Sequence, residues 1–302
     1  MERILVLEGG TSSEREVSLR SAAAVARALE KAGYDVVRAD PAAADFDLAR
    51  VVDGCDIVFP ILHGAGGEDG TVQRQLDALG KPYLGSGPDA CDLTFNKQKY
   101  RELVTAHGVR MAEGQVVDRA AFDVTPLRRS PYVLKPIDGG SSIDTLILHN
   151  TAEEPDVVYF DDLFAKYGTM LLEQLIEGPE LTVGVLGDEP LAVIMVVPPS
   201  GELFDYENKY NGRTQEIVDP PQIPSETKQK AQELALQLHQ LTSCRHLSRT
   251  DMFAASDGSL VVLETNTMPG MTDQSLFPKM AAAAGYDMPA LVSRFVELAK
   301  GV

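Results

Sequence analysis

The opening of the chain reads as strand, glycine break, helix and strand, and that order leaves few folds open. Arg3-Ile4-Leu5-Val6-Leu7 is an apolar run that breaks at Gly9-Gly10. Ser13-Glu14-Arg15-Glu16 then has the look of a capping box at a helix start, and Tyr34-Asp35-Val36-Val37 reads as the next strand. Two strands joined through a helix form a βαβ unit, so a parallel α/β sheet is expected. Gly9-Gly10-Thr11-Ser12 lacks the G-x-G-x-x-G spacing, which removes a dinucleotide reading. A buried strand over 56–62 delivers His63-Gly64-Ala65-Gly66-Gly67-Glu68-Asp69-Gly70 at its carboxyl end, where open parallel sheets bind ligands and glycines allow close approach. Pro82-Tyr83-Leu84-Gly85-Ser86-Gly87 reads as a short last strand and turn, and the first domain ends near residue 94.

Beyond that point the pattern changes. Asn96-Lys97-Gln98-Lys99 opens an amphipathic helix that Gly108 can stop. Ser130-Pro131-Tyr132-Val133-Leu134-Lys135-Pro136 is a strand with an outward lysine, followed by Asp138-Gly139-Gly140-Ser141-Ser142. Such a loop offers amides and hydroxyls to phosphate, although its lysine precedes the glycines, unlike a Walker loop; a flexible hairpin connection is the other reading. The strand over 170–174 runs into Leu172-Glu173-Gln174-Leu175-Ile176-Glu177-Gly178, a candidate hinge that pairs with a purine through backbone groups. Segments 180–185 and 191–197 look like antiparallel neighbours, 204–213 like a loop that closes on a ligand, and 225–241 like a long helix capped by Ser225.

Val261-Val262-Leu263-Glu264-Thr265-Asn266 reads as a strand ending in a carboxylate and an amide two positions apart, hence on one face. Arg249-Thr250-Asp251-Met252-Phe253 precedes it, with a turn at Asp257-Gly258 between. As a hairpin, the pair places Asp251 beside Glu264 with Arg249 on the same face. Three hard oxygens and a guanidinium suit a metal-bound polyphosphate; the competing reading is a surface hairpin with solvated charges.

The 27 Lys and Arg against 45 Asp and Glu give a net charge of -18, which argues against nonspecific binding to nucleic acid or membranes. Cys55, Cys91 and Cys244 lie far apart without C-x-x-C spacing and read as small buried hydrophobes of a reduced compartment. With no secretory leader and no long apolar run, a cytoplasmic protein is expected.

Taken together, these blocks resemble the D-alanine–D-alanine ligases of the ATP-grasp superfamily. The resemblance is carried by Gly9-Gly10-Thr11-Ser12-Ser13-Glu14-Arg15-Glu16-Val17-Ser18-Leu19, by 63–70, by Asp205-Tyr206 with Lys209-Tyr210, and by 264–272 with Ser275-Leu276. It implies an α/β and α+β chain with a three-domain ATP-grasp fold: an N-terminal parallel-sheet α/β domain at 1–94, a central lid at 95–178 and a catalytic domain at 179–302. ATP would lie between two antiparallel sheets. By the same resemblance Lys97 and Lys135 contact nucleotide phosphates, Glu173 and Ile176 flank adenine, Glu180 meets the ribose, and Lys209 approaches the γ-phosphate.

Asp251, Glu264 and Asn266 would hold two Mg2+ (or Mn2+) ions, and Arg249 with the Gly270 amide would stabilise the oxyanion. Glu14 would pair with the ammonium of the first D-alanine and, with Ser141 and Tyr210, tie the three domains together across the closed site; His63 would lie near the second D-alanine, and Ser275 and Leu276 near its carboxylate. A homodimer making D-alanyl-D-alanine for peptidoglycan precursors is implied. The chain departs from the family pattern at Asp144, where a glycine is usual, and at Ile137, Asn96 and Arg74. Asp144 is expected to repel nearby phosphates. Two alternatives follow: an ATP-grasp ligase joining a different amino acid or amine, and a noncatalytic ligand sensor.

Overall fold

A computed structural model describes residues 2–198, 213–255 and 257–301. Among these described residues twelve strands form three sheets. In the first, β1 (Arg3–Leu7), β2 (Asp35–Ala39) and β3 (Ile57–Pro60) run parallel in the order β2-β1-β3. β1 and β3 are apolar along almost their whole length because a parallel sheet is covered on both faces. The helix Arg15–Lys31 makes the crossover and buries Val17, Ala24, Val25, Ala28 and Leu29. The expected strand over 56–62 is shorter, since Pro60 has no N–H to give to a ladder and the chain turns at Ile61, whose N–H bonds to both Leu7 and Phe59 carbonyls. The segment at 82–87 contributes one isolated bridge, Val58 to Tyr83.

The second sheet contains β4 (Gly114–Asp118), β5 (Tyr132–Pro136), β6 (Leu146–Leu148) and β7 (Thr169–Gln174), antiparallel in the order β4-β7-β5-β6. The helix Val157–Tyr167 packs on one face, where Phe122 lies 4.9 Å from Phe160 and 5.5 Å from Phe164 between ring centroids.

The third sheet contains β8 (Glu180–Leu186), β9 (Glu189–Val197), β10 (Gln215–Val218), β11 (Leu247–Ala254) and β12 (Leu260–Asn266), antiparallel in the order β10-β9-β8-β11-β12. The helix Ser225–Leu241 buries Ala231 and Ala235 against one face; Pro224, not Ser225, precedes its first turn. The helices Leu276–Ala283 and Met288–Lys300 cover the other face and continue into the first sheet. Ile4, Val6 and Phe59 thus share a core with Phe277 and Phe295, whereas the second sheet keeps a core of its own. The three cysteines are free and buried, as their spacing suggests. Among the described residues no helix is long and apolar enough to cross a membrane.

Candidate active site

One wall of the site is the β11–β12 hairpin. Its antiparallel register pairs Asp251 with Glu264 and Arg249 with Asn266, and a bulge follows Asp251. Asp251 is buried: Arg249 Nε and Nη2 hold its two oxygens at 2.9 and 2.7 Å, and Thr182 Oγ1, from neighbouring β8, donates at 2.5 Å. A solvated surface hairpin is therefore excluded. The Glu264 carboxylate faces a cavity and has no hydrogen-bond or ion partner among the described residues. Asn266 Oδ1 accepts the Met268 N–H at 2.8 Å, which starts the turn to Gly270. A side chain at Gly270 would come within 2.9 Å of Ser275 Oγ, so the turn needs glycine.

The opposite wall is the second sheet with the loop over 137–145. Lys135 lies opposite Leu171 and diagonal to Glu173; its Nζ meets Glu173 at 2.6 Å, and Arg101 holds the other carboxylate oxygen at 2.9 Å. Lys97 begins the helix Lys97–Ala106, capped by the Asn96 side chain on the Lys99 N–H, and its Nζ donates to the Gly139 carbonyl at 2.5 Å. Burial pulls the Lys97 ammonium below its ordinary value, while the charge of Glu264 across the cavity opposes that shift. Asp144 does not confront this space: its carboxylate accepts from Lys166 at 2.6 Å and from the Tyr167 hydroxyl.

At the far end, Glu14 is buried and receives the Ser141 hydroxyl. Its carboxylate passes so close to Gly64 that a Cβ there would come within 2.8 Å, and Gly64 is left-handed at φ 73. The expected capping box is absent: Glu14, not Ser13, stands at the N-cap, and its side chain is aimed at the site and makes no cap. His63, fully enclosed, contacts Ser21 Oγ at 3.3 Å; desolvation lowers its pKa to about 4, so it is neutral near pH 7. Ser275 precedes the helix Leu276–Ala283 and accepts the Thr272 N–H at 3.0 Å.

A cavity of about 690 Å³ brings together Glu14, His63, Lys97, Ser141, Arg249, Glu264, Asn266, Gly270, Ser275 and Leu276. Lys135, Glu173, Ile176, Glu180 and Asp251 do not line it. Lys135 with Glu173, and Asp251 with Arg249, are closed on each other, while Ile176 follows β7 and Glu180 begins β8. Lys209 and Tyr210, with Asp205 and Tyr206, lie outside the described residues.

Three participants escape a reading of sequence alone. Glu68 lines the cavity and accepts the Gly64 N–H at 2.6 Å; burial, and then the charge of nearby Glu14, push its carboxyl well above the usual carboxylate range. Thr182 and Arg101 steady Asp251 and Glu173. Only Arg101 leaves a signal, one helical turn after Lys97 and therefore on the same face.

Comparisons with known proteins agree with this geometry. A family model described as D-ala D-ala ligase C-terminus matches residues 104–297, and one described as D-ala D-ala ligase N-terminus matches 39–86. The D-alanine–D-alanine ligase of Methylobacterium radiotolerans is 41% identical over 98% of this chain and 97% of its own length. That of Nitratidesulfovibrio vulgaris strain DP4 is 39% identical over the same shares. The crystal structure of the Bacillus anthracis D-alanine–D-alanine ligase complexed with ATP superposes with a TM-score of 0.85 at 29% identity, covering 100% of this chain and 98% of that one. With both halves matched, relatives aligned end to end and the ATP-grasp sheets in place, the chain belongs to the D-alanine–D-alanine ligase family.

Proposed function

We infer that this chain is an ATP-dependent ligase joining two D-alanines into D-alanyl-D-alanine for peptidoglycan precursors. The observation that carries the reading is one cavity in which a Glu264 carboxylate without a partner among the described residues faces Lys97, with Glu14, Arg249 and the Gly270 turn at its edge. A carboxylate is a poor electrophile, so an oxygen of the first D-alanine attacks the γ-phosphorus, ADP leaves, and an acyl phosphate results. The second D-alanine, its ammonium deprotonated, attacks the acyl carbon and expels phosphate. Lys97, Lys135 and Lys209 bind the phosphates of ATP; Glu173 and Ile176 flank adenine, and Glu180 meets ribose. Glu14, buried and touched by Ser141, pairs with the first ammonium, and Tyr210 completes that group. Neutral His63 lies by the second D-alanine, whose carboxylate takes Ser275 and Leu276 at a helix N-terminus. Arg249 and the Gly270 amide meet the oxyanion.

Asp251, Glu264 and Asn266 are the residues for two Mg2+ or Mn2+ ions, which would neutralise phosphate charge during transfer. The donor set fits in kind, since all three are hard oxygens and Glu264 has no partner among the described residues, while Asp251 would have to exchange Arg249 for the ions. Among the described residues no cluster of three His, Cys, Asp or Glu could hold a metal by itself, so phosphate oxygens and water would complete the coordination.

The division into 1–94, 95–178 and 179–302 is supported by one sheet in each span. The core shared by the first and third favours a lid that moves against both. The reading extends to a cytoplasmic homodimer. A ligase for another amine loses its motive, because Asp144 turns to Lys166 and Tyr167. Phosphate release from ATP with a panel of D- and L-amino acids tests the function. Release with D-alanine is expected; release only with another amino acid, or none at all, would overturn the reading.

A further inference from the structure

The loop over 137–145 joins β5 to β6 and carries three left-handed residues that are not glycine: Ser141 at φ 53, Ser142 at φ 56 and Asp144 at φ 52. L-residues enter that region reluctantly, aspartate more readily than most, so neighbouring contacts must stabilise it. One foot of the loop is fixed by the Lys97 N–H on the Ile137 carbonyl at 2.9 Å and by Asn96 Nδ2 on Asp138 at 2.7 Å. Its tip reaches Glu14 through Ser141. The other foot is Asp144, whose Oδ2 takes both the Lys166 ammonium and the Tyr167 hydroxyl. Those donors end the helix Val157–Tyr167, and Tyr167 packs on the core of the second sheet, so the anchor is firm. Both groups hold the Asp144 carboxyl below its ordinary value, Lys166 more than Tyr167.

We propose that Asp144 is a positioning residue: clipped to Lys166 and Tyr167, it holds the 137–145 loop in the turn that aims Ser141 at Glu14 before ATP arrives. The proposal rests on the ligase reading for its kinetic consequence and on contacts alone for its structural one. A glycine at 144 would allow the same backbone conformation but leave it one state among many. With aspartate the conformation is selected by two side-chain bonds. Asp144 itself does not line the cavity; it acts through Ser141.

The test compares wild type with Asp144→Gly, Asp144→Asn and Tyr167→Phe. Hydrogen exchange of the 138–145 amides is followed without ligand, and KM for ATP and kcat are measured with D-alanine. In Asp144→Gly the amides are expected to exchange about three- to tenfold faster, and KM for ATP to rise by a similar factor with kcat changed less than about twofold. Asp144→Asn, which keeps the tolerance for a left-handed turn and one hydrogen bond, should recover part of both. Wild-type exchange and unchanged KM in Asp144→Gly would overturn the clip. Should Asp144→Gly not fold, Tyr167→Phe decides in the same way, faster loop exchange supporting the clip and wild-type exchange overturning it. A wild-type protein that makes no dipeptide overturns the ligase reading, while exchange in the ligand-free protein still decides the clip.

Discussion

The β11–β12 hairpin places Arg249, Asp251, Glu264 and Asn266 through strand period and register, whereas the 137–145 loop across the cavity is held by side chains from Glu14, Asn96, Lys97, Lys166 and Tyr167. Within the hairpin β11 is laddered on both sides, by β12 and by β8, and β12 at the sheet edge is held to it in register, so the side chains are aimed before any ligand binds. In the loop each tether is a separate side-chain contact of modest worth, and the whole can open locally. A phosphoryl-transfer site needs both kinds of wall: a fixed one to orient charge, and one that admits ATP and then closes.

The largest expected effect strikes the fixed wall. Glu264→Ala should lower turnover about a hundredfold or more while the thermal midpoint moves by no more than a few degrees, because this carboxylate has no described partner to lose. Near-normal turnover in that variant would erase the difference between the walls. Arg249→Met should also reduce turnover about a hundredfold, and in addition cost roughly 3 kcal/mol of stability by taking the guanidinium away from buried Asp251. Urea unfolding checks this, and adding Asp251→Asn should recover part of the loss.

Ser141→Ala removes one tether of the loop and should cost about tenfold in kcat/KM with little change in unfolding. A double-mutant cycle with Glu14→Gln should show coupling of about 1 kcal/mol, and strict additivity would detach the loop tip from Glu14. The smallest effect concerns pH. Buried His63 has its pKa lowered to about 4, so between pH 6.5 and 4 the unfolded chain binds more protons than the folded one, and stability falls as pH falls through that window. His63→Gln should flatten this slope in unfolding measurements at several pH values; an unchanged slope would assign the acid sensitivity elsewhere, with His239 and His246 as the next histidines to test.

The same contrast explains what could be read without coordinates. The hairpin was legible because an alternating strand and a tight turn determine which side chains share a face. The βαβ opening, the helix capped by Asn96 and the strand bearing Lys135 follow from equally local rules. Misreadings arose where a side chain serves a distant partner. Ser13 to Glu16 reads as a capping box, but Glu14 takes the N-cap position and points to Ser141, and Asp144 suggests phosphate repulsion but binds Lys166. Glu68 and Thr182 acquire their parts only through tertiary neighbours, Gly64 with Glu14 and Asp251 respectively, which no period or spacing encodes.

The most direct test of the chemistry uses D-alanine carrying ¹⁸O in its carboxylate, with ATP and the wild-type protein, and mass spectrometry of both products. An acyl phosphate requires one carboxylate oxygen to depart with the phosphate, so one ¹⁸O should appear in phosphate for each D-alanyl-D-alanine formed. Dipeptide accompanied by unlabelled phosphate, or phosphate released without dipeptide, would contradict it.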